Sequence, residues 1–116
     1  MKRQALVTLI DAATAAGASD SYINNTCDLL SVQVDGTFSA VKVEVQGKTD
    51  TDAADWTNIA VFDKSTLDLN DGDYGIVAKG IYEAGIAGLT VVRVNVASVS
   101  GGNVTVTGSF ENTSEN

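Results

Sequence analysis

The residues best suited to bind a ligand surround the single tryptophan of the chain. Trp56 follows an acidic loop, with Asp55 before it and Asn58 two positions after it. An indole ring can stack on a sugar while carboxylate and amide groups hydrogen-bond the sugar hydroxyls. The same ring can also close one end of a hydrophobic core, which we favour because no second aromatic residue adjoins it. The sequence thus leaves two roles for Trp56, a carbohydrate-binding platform and a core plug.

Two loops concentrate carboxylates and form a second candidate site. The candidate calcium ligands are Asp50, Asp52, Asp55, Asp68, Asp71 and Asp73. Loops of this composition can hold Ca²⁺ through several oxygen atoms. Residues 68–73 begin like an EF-hand loop, but the glycine comes one position early and no glutamate closes the loop. We therefore interpret both loops as solvated turns and predict no metal and no other cofactor.

The side chains that usually perform catalysis are scarce. The chain has no histidine, the commonest general base. The single cysteine, Cys27, stands between Thr26 and Asp28, which supply no positive charge to activate a thiol. The carboxylates lie in loops rather than in an apolar cleft that would raise a carboxyl pKa. We predict a protein without catalytic residues that is not an enzyme.

The charge balance excludes two classes of partner. Fifteen acidic residues against seven basic ones give a net charge of -8, which repels nucleic acid and anionic lipid. No apolar run approaches the roughly 20 residues that cross a bilayer. Asp11 interrupts the apolar stretch near the start, whereas a secretory signal needs a longer one. We expect no nucleic-acid or membrane partner, and synthesis in the cytoplasm without a signal peptide.

The elements that must position these residues are strands in which valine alternates with polar residues. Four segments show the pattern: Leu30–Val34, Val41–Gln46, Val92–Val96 and Val104–Thr107. A period of two puts the valines on one face and the polar side chains on the other, which is typical of antiparallel sheets with one wet face. The sequence predicts an all-β antiparallel sandwich, jelly-roll-like, of seven or eight strands. Residues 1–110 would form one domain and residues 111–116 a polar tail.

Turn residues predict how these strands connect. Asp35-Gly36 is a tight-turn signal, so residues 29–46 are predicted to form a hairpin. Gly101-Gly102-Asn103 predicts a second hairpin turn. Residues 56–62 are predicted to form one continuous strand.

The first predicted strand, residues 4–11, is apolar on both faces. A strand of this kind lies either in the centre of a two-layer core or against another subunit. The alternate face carries Leu6, Thr8 and Ile10, which we predict to contact a second copy of the chain. We expect a homo-oligomer, because this strand is apolar on both faces and neither a disulfide nor a proline stabilises the chain. A trimer is the first expectation.

The order of these motifs resembles that of small bacteriophage virion proteins of the head-decoration, head-fibre or tail-associated type. The segments that carry the resemblance are Ser31–Ala40, Val43–Gly47, Asp55-Trp56, Gly80–Tyr82, Gly88-Leu89, Val92–Val96 and Ser100–Val106. The resemblance implies an enzymatically inert protein of the virion that docks on a capsid or tail protein. The same order also resembles discoidin-like carbohydrate-binding jelly rolls, which would imply a cell-surface glycan bound through Trp56.

Overall fold

The computed structural model describes residues 2–3, 6–24, 26–70 and 75–113. Within these ranges the chain forms thirteen strands and no helix, and every paired strand is antiparallel. The strands make two sheets, which we call sheet A and sheet B. The predicted all-β sandwich is confirmed. No helix in the described part of the chain is long and apolar enough to cross a membrane.

Sheet A contains seven strands among the described residues. They are β1 (Lys2–Arg3), β2 (Val7–Ala13), β5 (Leu29–Thr37), β8 (Val61–Asp63), β9 (Asp68–Asn70), β11 (Gly80–Gly85) and β13 (Asn103–Asn112). Their order is β1-β13-β5-β11-β8-β9. Strand β2 also pairs with β13, on the same side of it as β1. The long strands β13, β5 and β11 therefore form the middle of the sheet.

Sheet B contains six strands among the described residues. They are β3 (Gly17–Ala18), β4 (Tyr22–Ile23), β6 (Ala40–Lys48), β7 (Thr57–Ile59), β10 (Gly75–Ile76) and β12 (Val91–Ser100). The long strands β6 and β12 pair at its centre. Strands β7 and β10 pair with β6, and β3 and β4 pair with β12.

The valine alternation of the long strands builds the core between the sheets. The inward valines of β5, β6, β12 and β13 are at most 5% exposed: Val32, Val34, Val41, Val43, Val45, Val92, Val94, Val96, Val104 and Val106. Burying one such side chain contributes about 1.5–3 kcal/mol. The polar residues between them face outward, so the period of two assigns each side chain to the core or to an outer sheet face.

The two predicted hairpins are wrong, because each connection joins the two sheets. Strand β5 pairs with β13 in sheet A, whereas β6 pairs with β12 in sheet B. Gly36 lies inside β5 opposite Val104, and the chain turns after it at Phe38-Ser39. The second connection, Gly101-Gly102, lies beside the first, since Ser39 N donates to Ser100 O at 2.9 Å. At each of these two connections the chain passes from one sheet to the other, which is one way in which two packed sheets are joined.

Several predicted boundaries also change. The single strand predicted over residues 56–62 is two strands, because the chain leaves sheet B after Ile59 and enters sheet A at Val61. Breaks of this kind, together with two-residue strands at the sheet margins, raise the strand number above the seven or eight predicted. The last strand extends through Glu111 and Asn112, which we assigned to the tail, because β13 keeps pairing with Leu29 of β5. Residues 114–116 lie outside the described residues.

Candidate functional site

Trp56 lies on the outer face of sheet B and not in the core. The core cluster does not include it, and its side chain is half-buried beside two cations. Lys48 Nζ lies 4.6 Å and Arg93 Cζ 4.3 Å from the ring centroid. Both distances are within the range of a cation–π interaction. The favoured core-plug interpretation is therefore wrong, and the space over the ring that a stacked sugar requires is shared with Lys48 and Arg93.

A chain of side-chain hydrogen bonds continues from Arg93 across the outer face of sheet B. Arg93 Nε donates to Gln46 Oε1 at 2.8 Å, and Gln46 Nε2 donates to Asn58 Oδ1 at 2.8 Å. Asn58 Nδ2 and Asn95 Nδ2 each donate to the Glu44 carboxylate at 3.0 Å. The pairing of β12, β6 and β7 places these groups side by side, since Gln46 lies opposite both Arg93 and Asn58. The network fixes Asn58 within the protein, so its amide is engaged before any ligand arrives.

The acidic loop before Trp56 uses its groups to stabilise its own turn. Asp50 Oδ1 accepts from Asp52 N at 2.9 Å, and Ala53 N donates to Asp50 O at 3.0 Å. Lys48 Nζ donates to Ala53 O at 2.6 Å, which ties the loop to β6. Asp55 is exposed where the loop ends. These contacts are those of a hydrogen-bonded surface turn.

The other calcium candidates are separated from this loop. Asp68 lies on β9 in sheet A, whereas Asp50, Asp52 and Asp55 lie in the loop beside sheet B. Asp71 lies outside the described residues, and so does Asp73. Within the described ranges no three acidic or cysteine side chains converge to hold a metal ion.

The three residues of the predicted subunit contact do not share one face. Leu6 is 71% exposed and Thr8 is exposed, but Ile10 is only 8% exposed and belongs to the core. The pairing of β2 with β13 shifts register on both sides of Val106, which lies opposite Ile10. Such irregularities break the period of two. Ile10 is therefore not available to a second copy, and this part of the prediction is corrected.

A broad concavity lies on the outer face of sheet A. This sheet A groove has a volume of about 610 Å³ and spans β11, β5 and β13. Its lining includes Leu6, Leu29, Ser31, Gln33, Lys64, Ile81, Glu83, Thr107, Ser109 and Glu111. The sequence analysis did not predict this groove, because its polar residues are the outward-facing ones that alternate with the core valines and look like ordinary solvent-exposed positions. The short side chains of Ser31 and Ser109 were the feature of the sequence that could have indicated a depression in this face.

The sequence model of the XepA family matches residues 3–110. The chain belongs to the XepA family. Two solved structures are similar to it. SPBc2 prophage-derived protein YomS has 22% sequence identity and a TM-score of 0.81, over 95% of both chains. PBSX exported protein XepA has 18% identity and a TM-score of 0.82, over 95% of this chain and 38% of its own. No curated protein matches the sequence.

At these identities the two structures establish the fold that this XepA-family chain shares with them. The chain spans YomS almost from end to end but corresponds to well under half of XepA. The sandwich is therefore a unit that occurs both as nearly a whole chain and as part of a longer one.

The shifted pKa values in this XepA-family chain have structural causes. Hydrogen bonds from Thr113 lower the pKa of Asp28, and hydrogen bonds from Ser65 lower that of Asp63. Burial, with a smaller contribution from the Asp63 charge, raises the pKa of Tyr82, whose hydroxyl donates to Ala78 O at 2.9 Å. Each of these groups holds a turn or a chain end.

Proposed function

We propose that the chain is a non-enzymatic structural protein of a phage particle, as a capsid decoration or as a tail or fibre component. The observation that carries the proposal is the end-to-end likeness to YomS, which is described as prophage-derived, within the family of XepA, which is described as a PBSX exported protein. A structural protein of a particle needs a stable, soluble fold and no reactive group. The valine core and the net charge of -8 meet these needs.

The chemistry of the side chains agrees with a non-enzymatic role. Cys27 is 5% exposed, so the one thiol is withdrawn from solvent. Asp28 and Asp63 accept hydrogen bonds from neighbouring residues within the fold. A nucleophile needs an adjacent base to activate it, and histidine is absent from the sequence.

The proposed action is self-association through the first strand, followed by docking on a capsid or tail protein. Strand β2 pairs with β13 on one side and is an edge strand of sheet A in the described part of the chain. An edge strand offers free backbone groups to another chain. Leu6, 71% exposed just before β2, adds apolar area worth about 25 cal/mol per Å² when a second copy covers it.

Multi-angle light scattering on the purified chain tests self-association. We expect an integer multiple of the 12.0 kDa chain mass, three copies being the sequence-based expectation, and expect Leu6→Asp to give the monomer. Ile23→Asp is the matched control, because Ile23 is 73% exposed on the opposite sheet. A monomeric native chain at high concentration would refute the proposal. Dissociation by the Ile23 variant alone would move the contact to sheet B.

The location in the particle is tested separately. A bacterial lysogen that carries the gene for this chain is induced. The particles are purified on a density gradient, and their proteins are identified by mass spectrometry. We expect the chain in the particle fraction at a constant ratio to the major capsid or tail protein. Its presence only in the soluble lysate would contradict a virion location.

A further inference from the structure

We propose that the sheet A groove binds a neutral oligosaccharide. The proposal does not depend on self-association, which concerns the edge of the sheet rather than its outer face. Among the described residues, Leu6 on the groove margin is the point where the two surfaces meet. A groove of about 610 Å³ falls within the size range of ligand sites, roughly 300–1,000 Å³.

The floor of the groove is a grid of side chains set by strand register. In one row Ile81 lies opposite Gln33, and Gln33 lies opposite Thr107. In the next row Ser31 lies between Glu83 and Ser109. The second row has two adjacent serines, Ser31 and Ser109, whereas the first row has the longer side chains of Ile81 and Gln33. This difference in side-chain length makes the face concave.

The chemistry of the floor matches sugar hydroxyls. Ser31, Thr107 and Gln33 each offer a donor and an acceptor, as a sugar hydroxyl does. Ser109 Oγ is inaccessible to water and has no hydrogen-bond partner within the described chain. Because this oxygen is covered, it does not contact a ligand, and the polar contacts to a sugar fall to Ser31, Thr107 and Gln33. Ile81, 48% exposed at the end of its row, supplies an apolar surface for the C–H faces of a sugar.

The charges of the groove disfavour an anionic ligand. Glu83 and Glu111 line it, and the whole chain carries a net charge of -8. Lys64 is the basic residue among the described lining residues, and its Nζ lies 3.4 Å from Glu83 Oε2. A sulfated or sialylated sugar would therefore approach a chain whose overall charge is negative.

The strand pairing disfavours a peptide. Strand β5 pairs with β13 on one side and β11 on the other, and β11 also pairs with β8. The backbone groups of the floor are thus already used within the sheet. A peptide cannot extend the sheet at this place and would have to bind through side chains alone.

The dimensions of the floor give the length of the ligand. Three strands span about 10 Å across the sheet, and residues 29–33 span about 13 Å along β5. This area accommodates roughly two or three sugar rings within a pocket of this class. A trisaccharide is therefore a probe long enough to fill the groove.

Heteronuclear NMR of the ¹⁵N-labelled chain tests the proposal, after a glycan array of neutral and acidic oligosaccharides has chosen the probe. Triacetylchitotriose and maltotriose are titrated in any case. We expect saturable amide shifts in β5, β11 and β13, and a loss of affinity of at least fivefold in Gln33→Ala. Thr107→Val, which keeps the side-chain shape, should lose about twofold to fivefold because it removes one hydroxyl.

Two control variants separate this groove from other surfaces. Ser98→Ala removes an exposed hydroxyl from sheet B and should leave affinity unchanged. Trp56→Ala should also retain binding, because Trp56 lies over sheet B. Loss of binding in Trp56→Ala with retention in Gln33→Ala would overturn the proposal, and so would an array on which no neutral glycan binds. Leu6 stays unchanged throughout, so a failed oligomerisation test and a failed binding test remain distinguishable.

Discussion

The Asn24 side-chain nitrogen lies 3.0 Å from the main-chain oxygen of Ile86, 62 residues later in the chain. The same nitrogen also lies 3.0 Å from Cys27 O and from Leu89 O, and Asn24 Oδ1 accepts from Cys27 N at 3.0 Å. One amide thus joins the segment before β5 to the turn that follows β11. A carboxylate has the shape of this amide but none of its donors.

We expect Asn24→Asp to lower the free energy of unfolding by about 2–3 kcal/mol, because the donor bonds to three carbonyl oxygens are lost. Urea unfolding followed by circular dichroism measures the change. Thr26→Ala, an exposed neighbour, is the control and should change stability by no more than about 0.5 kcal/mol. Equal stability of the Asn24 variant and the native chain would show that these bonds contribute nothing.

The connection between β12 and β13 should tolerate no side chain at Gly102. Its φ is +146°, and an added Cβ would overlap the main-chain oxygen of Thr37. We expect Gly102→Ala to destabilise the fold by more than about 3 kcal/mol, through backbone strain and overpacking. Gly88→Ala tests strain alone, because Gly88 has a φ of +84° with open space around it, and should cost about 1 kcal/mol. Similar losses in both variants would contradict the proposed overlap, and thermal unfolding provides the comparison.

Arg93 should stabilise the outer face of sheet B through both of its contacts. Arg93→Ala removes the contact with the Trp56 ring and the hydrogen bond to Gln46, for an expected loss of about 1–2 kcal/mol. Because Trp56 is the single tryptophan, its fluorescence should also shift to longer wavelength as water reaches the ring. Lys79→Ala, an exposed basic control, should leave emission and stability unchanged. An unaltered spectrum in the Arg93 variant would argue against the ring contact.

The two hydrogen bonds from Thr113 to the Asp28 carboxylate should make the free energy of unfolding depend on pH in the acid range. Asp28 Oδ1 accepts from Thr113 N at 3.0 Å and Oδ2 from Thr113 Oγ1 at 2.5 Å, which hold the folded-state pKa below its usual 3.8. A lowered folded pKa contributes stability above the unfolded pKa and loses that stability as pH falls through the folded pKa.

The expected result is a constant stability difference between the native chain and Asp28→Asn near neutral pH, which shrinks below about pH 4. Chemical unfolding at a series of pH values measures it. Thr113→Val, which removes the side-chain donor and keeps the main-chain one, should show part of the same difference. A stability difference that stays constant down to the lowest pH would contradict a stabilising role for the hydrogen bonds between Thr113 and Asp28.

The sequence predicted the parts of the fold that depend on a repeated pattern. The alternation in Val41–Gln46 and Val92–Val96 was sufficient to assign inward and outward faces, because it needs only the pleat of a strand. It could not tell which strand pairs with which. Asp35-Gly36 satisfies the local rule for a hairpin turn, yet Gly36 lies inside a strand, since pairing with β13 outweighs a local turn preference.

The candidate sites were less predictable because they depend on contacts between distant segments. Trp56 and Asn58 do share one face, but the cations over the ring come from Lys48 and Arg93, on two different strands. Ile10 points into the core because the pairing of β2 shifts register, which no residue type in the strand announces. The groove on sheet A required the register of three strands, and a single sequence does not contain that register.

The crossing of both connections between the sheets has a consequence for synthesis on the ribosome. Strands β5 and β6 are translated before their central partners β13 and β12, whereas their shorter partners β7, β10 and β11 precede β12 and β13 in the chain. The two longest pairings, β5 with β13 and β6 with β12, therefore cannot form until residues 91–112 have been made. Pairing between segments so far apart closes large loops and is slow. The core valines of β5 and β6 stay incompletely covered until these pairings form, and that interval is when the chain is most exposed to aggregation.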